Sequence, residues 1–141
     1  MKILVDTSVW SLALRRSEPE DIVCKLTELI RASLVVMIGP IKQELLSGIS
    51  NEYVFLNLKS KLAHYDDLPI TSSDYETAAE YYNLCRSHGI QGSHVDFLIC
   101  AVAVNNDLLI FTIDQDFKQF TEFIPISTFS NTSLANFSKG C

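Results

Sequence analysis

What the chain lacks limits its chemistry first. Its four cysteines, Cys24, Cys85, Cys100 and Cys141, contain no Cys-x-x-Cys pair, and its three histidines, His64, His88 and His94, form no cluster with them. Nothing here has the spacing of a zinc site. Cys24, Cys85 and Cys100 fall within apolar helical patterns and read as small buried hydrophobes in a reducing compartment. Long hydrophobic runs are also missing: the longest, Phe97 to Val104, is far too short to cross a bilayer. The opening apolar run is cut by Asp6 before a secretory h-region forms, so no signal peptide is expected and a soluble cytoplasmic protein is. Repeats and low-complexity segments are absent too. With 48% hydrophobic and 20% charged residues, the 141-residue chain has globular composition and can enclose a real core. Residues 1–141 are expected to form one domain, with 128–141 a loosely ordered tail.

Positive charge is scarce as well. Eleven lysines and arginines face 17 acids, a net charge of −6, which speaks against a nucleic-acid partner. The objection weakens if some acids bind metal. Setting four ligand carboxylates aside leaves 13 acids against 11 bases, and bound divalent cations would turn the site locally positive.

What is present is an alternation of short apolar runs with helical patterns. Ile3-Leu4-Val5 reads as a strand buried on both faces, ending abruptly in Asp6. Thr7 or Ser8 then caps a helix running to Arg16. Pro19 opens a second helix through Ile30, and Leu34 to Ile38 is a short strand. Gly39-Pro40 starts a third helix containing Glu44, and Tyr53 to Ala63 is a fourth. Leu68-Pro69-Ile70 fits an edge strand, where proline is tolerated. Ser73, with Glu76 in a capping box, begins a long helix that stops at Gly89. His94 to Asn105 is a helix apolar nearly all round, the most buried of the set. Leu108 to Phe111 is a strand leading into Thr112-Ile113-Asp114, and Phe123 to Ile126 is a last one. The expected fold class is α/β, with a mostly parallel sheet of four to five strands and helices on both faces.

Four acids take suggestive positions. Asp6 and Asp114 follow apolar strands, while Glu44 and Asp96 lie in early turns of helices. Taken singly, Glu44 reads as a surface acid, Asp96 as a complement to its helix dipole, and Asp114 and Asp116 as loop acids. Asp6 resists such a reading, because an acid ending a buried strand needs partners. Converging on one sheet edge, the four would repel one another unless protonated or holding cations. Oxygen-only ligands favour Mg²⁺ or Mn²⁺, and such ions activate water for phosphodiester hydrolysis. A metal-dependent nuclease or phosphatase follows from that chemistry.

The order of four motifs resembles the PIN-domain ribonucleases, and within them the VapC-type toxins of toxin–antitoxin pairs. The motifs are Val5-Asp6-Thr7-Ser8-Val9-Trp10, Gly39-Pro40 through Glu44-Leu45-Leu46-Ser47-Gly48, Val95-Asp96-Phe97-Leu98-Ile99-Cys100-Ala101, and Thr112-Ile113-Asp114-Gln115-Asp116-Phe117. The resemblance implies a three-layer α/β/α sandwich. It carries over Asp6, Glu44, Asp96 and Asp114 as the acidic metal-binding and catalytic set, with Ser8, Thr112 and Asp116 in support. It also implies Mg²⁺ (or Mn²⁺) as cofactor and endonucleolytic RNA cleavage by a metal-activated water, leaving a 5′-phosphate and a 3′-hydroxyl. A cognate VapB-like antitoxin and a homodimer are the implied partners, with the Tyr53–Ala63 helix as candidate dimer face. Ser93-His94-Val95 and Phe97 are bulkier than the family pattern leads one to expect near Asp96. His94 reads as a phosphate contact or as a solvent-facing or capping histidine; Arg15, Arg16, Lys42 and Lys118 read as RNA-backbone contacts or a solvated face. The alternatives are a PIN-domain RNA-processing nuclease without antitoxin, a catalytically silent binding module, and a receiver-like phosphoacceptor domain. The receiver reading wants a lysine after the late strand, where Thr112-Ile113-Asp114 stands.

Overall fold

The computed structural model describes residues 1–15 and 20–129. Arg16, Pro19 and the tail from residue 130 lie outside these residues. Within them the order is β1 (Ile3–Val5), α1 (Thr7–Arg15), α2 (Asp21–Arg31), β2 (Val35–Val36), α3 (Gly39–Leu46), α4 (Glu52–Leu62), α5 (Ser72–Ser87), α6 (His94–Asn105), β3 (Leu109–Phe111), α7 (Asp116–Phe120) and β4 (Ser127–Thr128). This is the expected α/β sandwich. Seven helices flank a four-stranded sheet of order β2-β1-β3-β4, and every pairing is parallel. No helix among the described residues is long and apolar enough to cross a membrane.

The strand order sets where a site can form. β1 pairs with β2 through Ile3↔Val35 and Leu4↔Val36, and with β3 through Ile3↔Leu109, Leu4↔Ile110 and Val5↔Phe111. The chain leaves β1 in one direction to reach β2 and returns on the other side of β1 to lay down β3. The carboxyl ends of β1 and β3 therefore flank the switch point, where parallel sheets open a crevice. Asp6 and Thr112 are the next residues after those two ends.

α6 earns its position from composition: Phe97 to Ala103 are all buried, as an all-round apolar helix must be. It ends through Asp107 in the left-handed region (φ 54°), with the Leu108 N–H donating to the Ala103 carbonyl at 2.8 Å. Gly89 ends α5 in the same region at φ 76°, as its sequence position leads one to expect. Cys85 and Cys100 are free and buried as expected, whereas Cys24 is only half-buried and is disulfide-bonded, so that expectation fails for it.

Four local expectations need correction. α1 starts directly at Thr7, and the Asp6 carbonyl accepts from the Val9 and Trp10 N–H groups, so neither Thr7 nor Ser8 caps it. α5 is capped by Thr71 with Asp74, not Ser73 with Glu76. Both pairs have the right spacing, but Asp74 is also held by Asn105 from α6, which decides the register. Leu68-Pro69-Ile70 is not a strand: a single bridge, Met37↔Asp67, is all that forms, since Pro69 has no N–H to extend it. Finally, Phe123 and Ile124 turn back to hydrogen-bond the Phe120 carbonyl, and the last strand is the exposed pair Ser127–Thr128.

Candidate active site

Asp6 is fixed from both sides along its backbone. Its N–H donates to the Phe111 carbonyl of β3 at 2.9 Å, and its carbonyl receives the first N–H groups of α1. Its side chain is only 4% exposed, so desolvation must be offset by donors. Two hydroxyls supply them. Ser8 Oγ donates to Asp6 Oδ2 at 2.6 Å and Thr112 Oγ1 to the same oxygen at 2.8 Å. Both of these bonds fall on Oδ2, and Oδ1 accepts none among the described residues, which leaves it available to a cation.

Thr112 is the joint of the crevice. Its hydroxyl donates to Asp6 while accepting the Asp114 N–H at 3.0 Å, and it lies 3.3 Å from Ser8 Oγ. Ser8 Oγ in turn accepts the Ile113 N–H at 3.3 Å. The strand end after β3 is thus tied to the strand end after β1. Asp114 Oδ1 accepts the Asp116 N–H at 2.9 Å, which starts α7. Asp116 contributes its backbone N–H to this arrangement; its own carboxylate is exposed and accepts no hydrogen bond among the described residues.

Asp96 reaches the same crevice from the first turn of α6. Its Oδ2 accepts the Ser93 N–H at 3.0 Å and its N–H donates to Ser93 Oγ at 3.1 Å, a capping box that orients the carboxylate. Ser93, not His94, is the cap. Burial pushes the Asp96 carboxyl above its ordinary range against the pull of the two Ser93 contacts, and the charges of Asp6 and Asp114 push it the same way. Three acids therefore share one field. Glu44 stands at the exposed rim, where its Oε1 accepts the Thr7 hydroxyl at 2.7 Å. Thr7, expected as a helix cap, instead bonds this acid. Its place directly after Asp6 was the available signal for a site role.

The donor set suits a hard divalent ion, being all oxygen with no thiolate or imidazole among the four. Among the described residues no three acidic, imidazole or thiol groups close into a ready ligand cluster. Asp6, Asp96 and Asp114 share one field and repel one another until a cation neutralises them, with Glu44 at the rim. The all-oxygen set and the unengaged Asp6 Oδ1 fit Mg²⁺ or Mn²⁺ on chemical grounds.

The other singled-out residues divide. Lys42 is not free for RNA: its Nζ donates to the Tyr65 carbonyl at 2.6 Å and pairs with Asp67 at 2.8 Å. Arg15 folds back on its own helix, donating to the Ser11 carbonyl at 3.1 Å. Lys118 is exposed on α7, just beyond Asp114. His94 is exposed and stacks on Tyr82 at 5.0 Å. Phe97 does not obstruct the crevice, because its ring is buried against Phe120 and Tyr82. Gly92 makes room for it: a Cβ there would meet Phe120 at 2.7 Å and Phe97 at 2.9 Å.

Comparison with known proteins agrees with this architecture. The chain is similar in structure to FitAcB from Neisseria gonorrhoeae, with a TM-score of 0.72 and 24% identity over 91% of this chain and 96% of that one. It is also similar to VapBC2 from Rickettsia felis, solved bound to a DNA fragment from their promoter, with a TM-score of 0.71 and 17% identity over 92% and 98% of the two chains. VapBC-1 from nontypeable Haemophilus influenzae gives a TM-score of 0.70 and 14% identity over 94% and 99%. No curated protein matches the chain in sequence. The PIN domain family model matches residues 3–122, from the first residue of β1 to just past α7. The chain therefore belongs to the PIN domain family.

Proposed function

We propose that this chain is a single-domain, divalent-metal-dependent endoribonuclease, and that it acts in the cytoplasm as the toxin of a toxin–antitoxin pair. The observation that carries the reading is the common field of Asp6, Asp96 and Asp114 at the sheet's switch point. Such a concentration of like charge at a ligand-binding edge is costly without a cation to hold. Asp6, Asp96, Glu44 and Asp114 would hold Mg²⁺ or Mn²⁺. When bound, the ion supplies Lewis acidity toward water and the phosphodiester oxygens. The chain's own part is orientation. Ser8 and Thr112 fix one oxygen of Asp6 and leave the other for the ion, Ser93 fixes Asp96, and Thr7 fixes Glu44. Hydrolysis then joins the water oxygen to phosphorus and breaks the P–O3′ bond. The leaving oxygen takes a proton, giving a 3′-hydroxyl and a 5′-phosphate.

The antitoxin partner is supported by the FitAcB and VapBC likenesses. An acidic chain suits a basic partner segment. A homodimer is supported by α4, where Tyr53, Val54 and Leu56 are exposed apolar side chains on one short stretch.

The test is cleavage of total RNA by the purified protein with Mg²⁺ or Mn²⁺ against EDTA, beside Asp6→Asn and Asp96→Asn. Metal-dependent fragments with 5′-phosphate ends, lost in both variants, are expected. Equal inertness of wild type and variants, all folded, would count against catalysis and in favour of a binding module.

A further inference from the structure

A second recess lies on the flank of the acidic crevice, between α3, α5 and the first turn of α6. It encloses about 530 Å³, within the range of small-ligand sites. Its chemistry is the opposite of the crevice beside it. Tyr75, Tyr82 and His94 contribute rings, Gln43 and Asn83 contribute carboxamides, and no carboxylate, lysine or arginine belongs to its lining among the described residues. Tyr82 and His94 are already stacked, 5.0 Å apart and 14° from parallel. Arg86, one turn further along α5, donates to the Tyr82 hydroxyl at 3.0 Å and lies 5.7 Å over its ring, holding that shelf in place.

Position ties the recess to the acids. α6 gives Asp96 to the crevice and His94 and Val95 to the recess; α3 gives Glu44 to the crevice rim and Gln43 to the recess. Residues next in sequence to two of the acids, Gln43 beside Glu44 and Val95 beside Asp96, thus line the recess. The recess carries no cation to attract a phosphate, but it has ring faces and groups that both donate and accept, the two features by which unpaired bases are recognised.

We propose that this recess is a base subsite. It takes one unpaired nucleobase of the RNA strand next to the scissile phosphate, stacked on Tyr75 and the Tyr82–His94 shelf and read along its edge by Gln43 and Asn83. The assignment deepens the nuclease reading and rests on it for the identity of the strand.

Two measurements separate the subsite from that reading. In EDTA, the intact protein is titrated with AMP, GMP, CMP and UMP while the NMR signals of Tyr75, Ala79, Asn83 and Leu98 are followed, with inorganic phosphate as control. At least one nucleotide should shift these signals to saturation and phosphate should not. Tyr75→Ala, at a 56% exposed position and so safe for folding, should weaken that binding about tenfold, and Tyr75→Phe should restore it. In the presence of metal, cut sites in total RNA should show a preference at one position beside the cleaved bond, and Tyr75→Ala and Gln43→Ala should flatten it about tenfold. Failure of every nucleotide to shift the lining, or an unchanged cut-site preference in both variants, overturns the subsite. So does a change from dimer to monomer in Tyr75→Ala, which would make the recess a seat for a second copy. Saturable nucleotide binding without cleavage of any RNA would keep the subsite and remove the nuclease.

Discussion

Two carboxylates, Asp6 and Asp74, are buried to nearly the same extent, 4% and 3% exposed, yet the fold treats them in opposite ways. Asp74 spreads its hydrogen bonds over both oxygens: Oδ2 accepts the Thr71 N–H at 2.9 Å and Oδ1 the Asn105 amide at 2.8 Å. Burial acts to raise its carboxyl, but these contacts with Thr71 and Asn105 outweigh it, and the group lies below its ordinary range. Asp6 concentrates both of its bonds on Oδ2 and sits near other acids. Burial alone therefore does not mark a functional acid. Uneven satisfaction in like-charged company is what sets Asp6 apart, and it is the feature on which the proposed metal role rests.

Exchanging each for asparagine should separate the two roles. Asp6→Asn keeps the shape and relieves repulsion, so the metal-free fold should hold or gain stability while RNA cleavage falls at least about a hundredfold, beyond what loss of an outer partner costs. Asp74→Asn should do the reverse. It replaces an acceptor oxygen with a donor facing the Thr71 N–H or the Asn105 amide, costing about 1–3 kcal/mol in a denaturant melt, while cleavage per folded molecule persists. If Asp74→Asn abolished cleavage in a folded protein, the contrast would collapse.

A smaller effect probes the hydroxyls. Thr112→Val removes the donor to Asp6 and the acceptor for the Asp114 N–H without changing shape, and Thr112→Ser retains both. About a tenfold or greater loss of cleavage in the valine variant, with recovery in the serine variant, is expected of an outer partner that orients a metal ligand. A drop in metal affinity measured alongside would show that the loss arises through Asp6.

The two acids' surroundings also differ in how far sequence reveals them. Asp6 is legible because Ile3-Leu4-Val5 leaves no other account of a carboxylate at that point, and α6 is legible because its apolar run admits no exposed face. The cap of α5 is not, since Thr71-x-x-Asp74 and Ser73-x-x-Glu76 are equivalent locally and only Asn105, 31 residues after Asp74, distinguishes them. β4 is hidden for a related reason. Its pairing with β3 uses backbone alone, so polar Ser127–Thr128 serves, while the apolar stretch before it is consumed by a turn that buries Ile124 and Ile126. Asp96 shows a third case: its first-turn place reads as a complement to the helix dipole and its order among the motifs as a ligand, and the structure pairs it with the Ser93 cap while leaving it in the field of Asp6 and Asp114.

Acid titration sharpens the contrast in sign. Asp74, lowered in the fold, contributes stability that is present above the unfolded carboxyl value of about 3.9 and is lost as pH falls through its folded value. Asp96, raised in the fold, works the other way. The metal-free protein loses stability as pH climbs from about 3.9 through the raised value, because the unfolded chain ionises first. Urea melts across this range should show Asp74→Asn losing the acid-side decline and Asp96→Asn losing the higher-pH one. Saturating Mg²⁺ should cancel the second effect and leave the first.

The smallest expected effect concerns two lysines that the sequence does not distinguish. Lys42 is spent on the Tyr65 carbonyl and Asp67, so Lys42→Ala should leave RNA affinity and its salt dependence unchanged and cost about 1 kcal/mol or less of stability. Lys118 is exposed on α7, four residues after Asp114, and on the proposed reading it contacts the RNA backbone. Lys118→Ala should weaken RNA binding a few-fold, uniformly across sequences, and lower the slope of log K against log salt by about 1. Measuring that slope for the Asp6→Asn protein and its Lys118 double variant avoids turnover during the assay. A slope that changes with Lys42 instead would mean that RNA approaches over the Tyr65–Asp67 loop, away from the carboxyl edge of the sheet, and would detach the strand's path from the acids that are proposed to cut it.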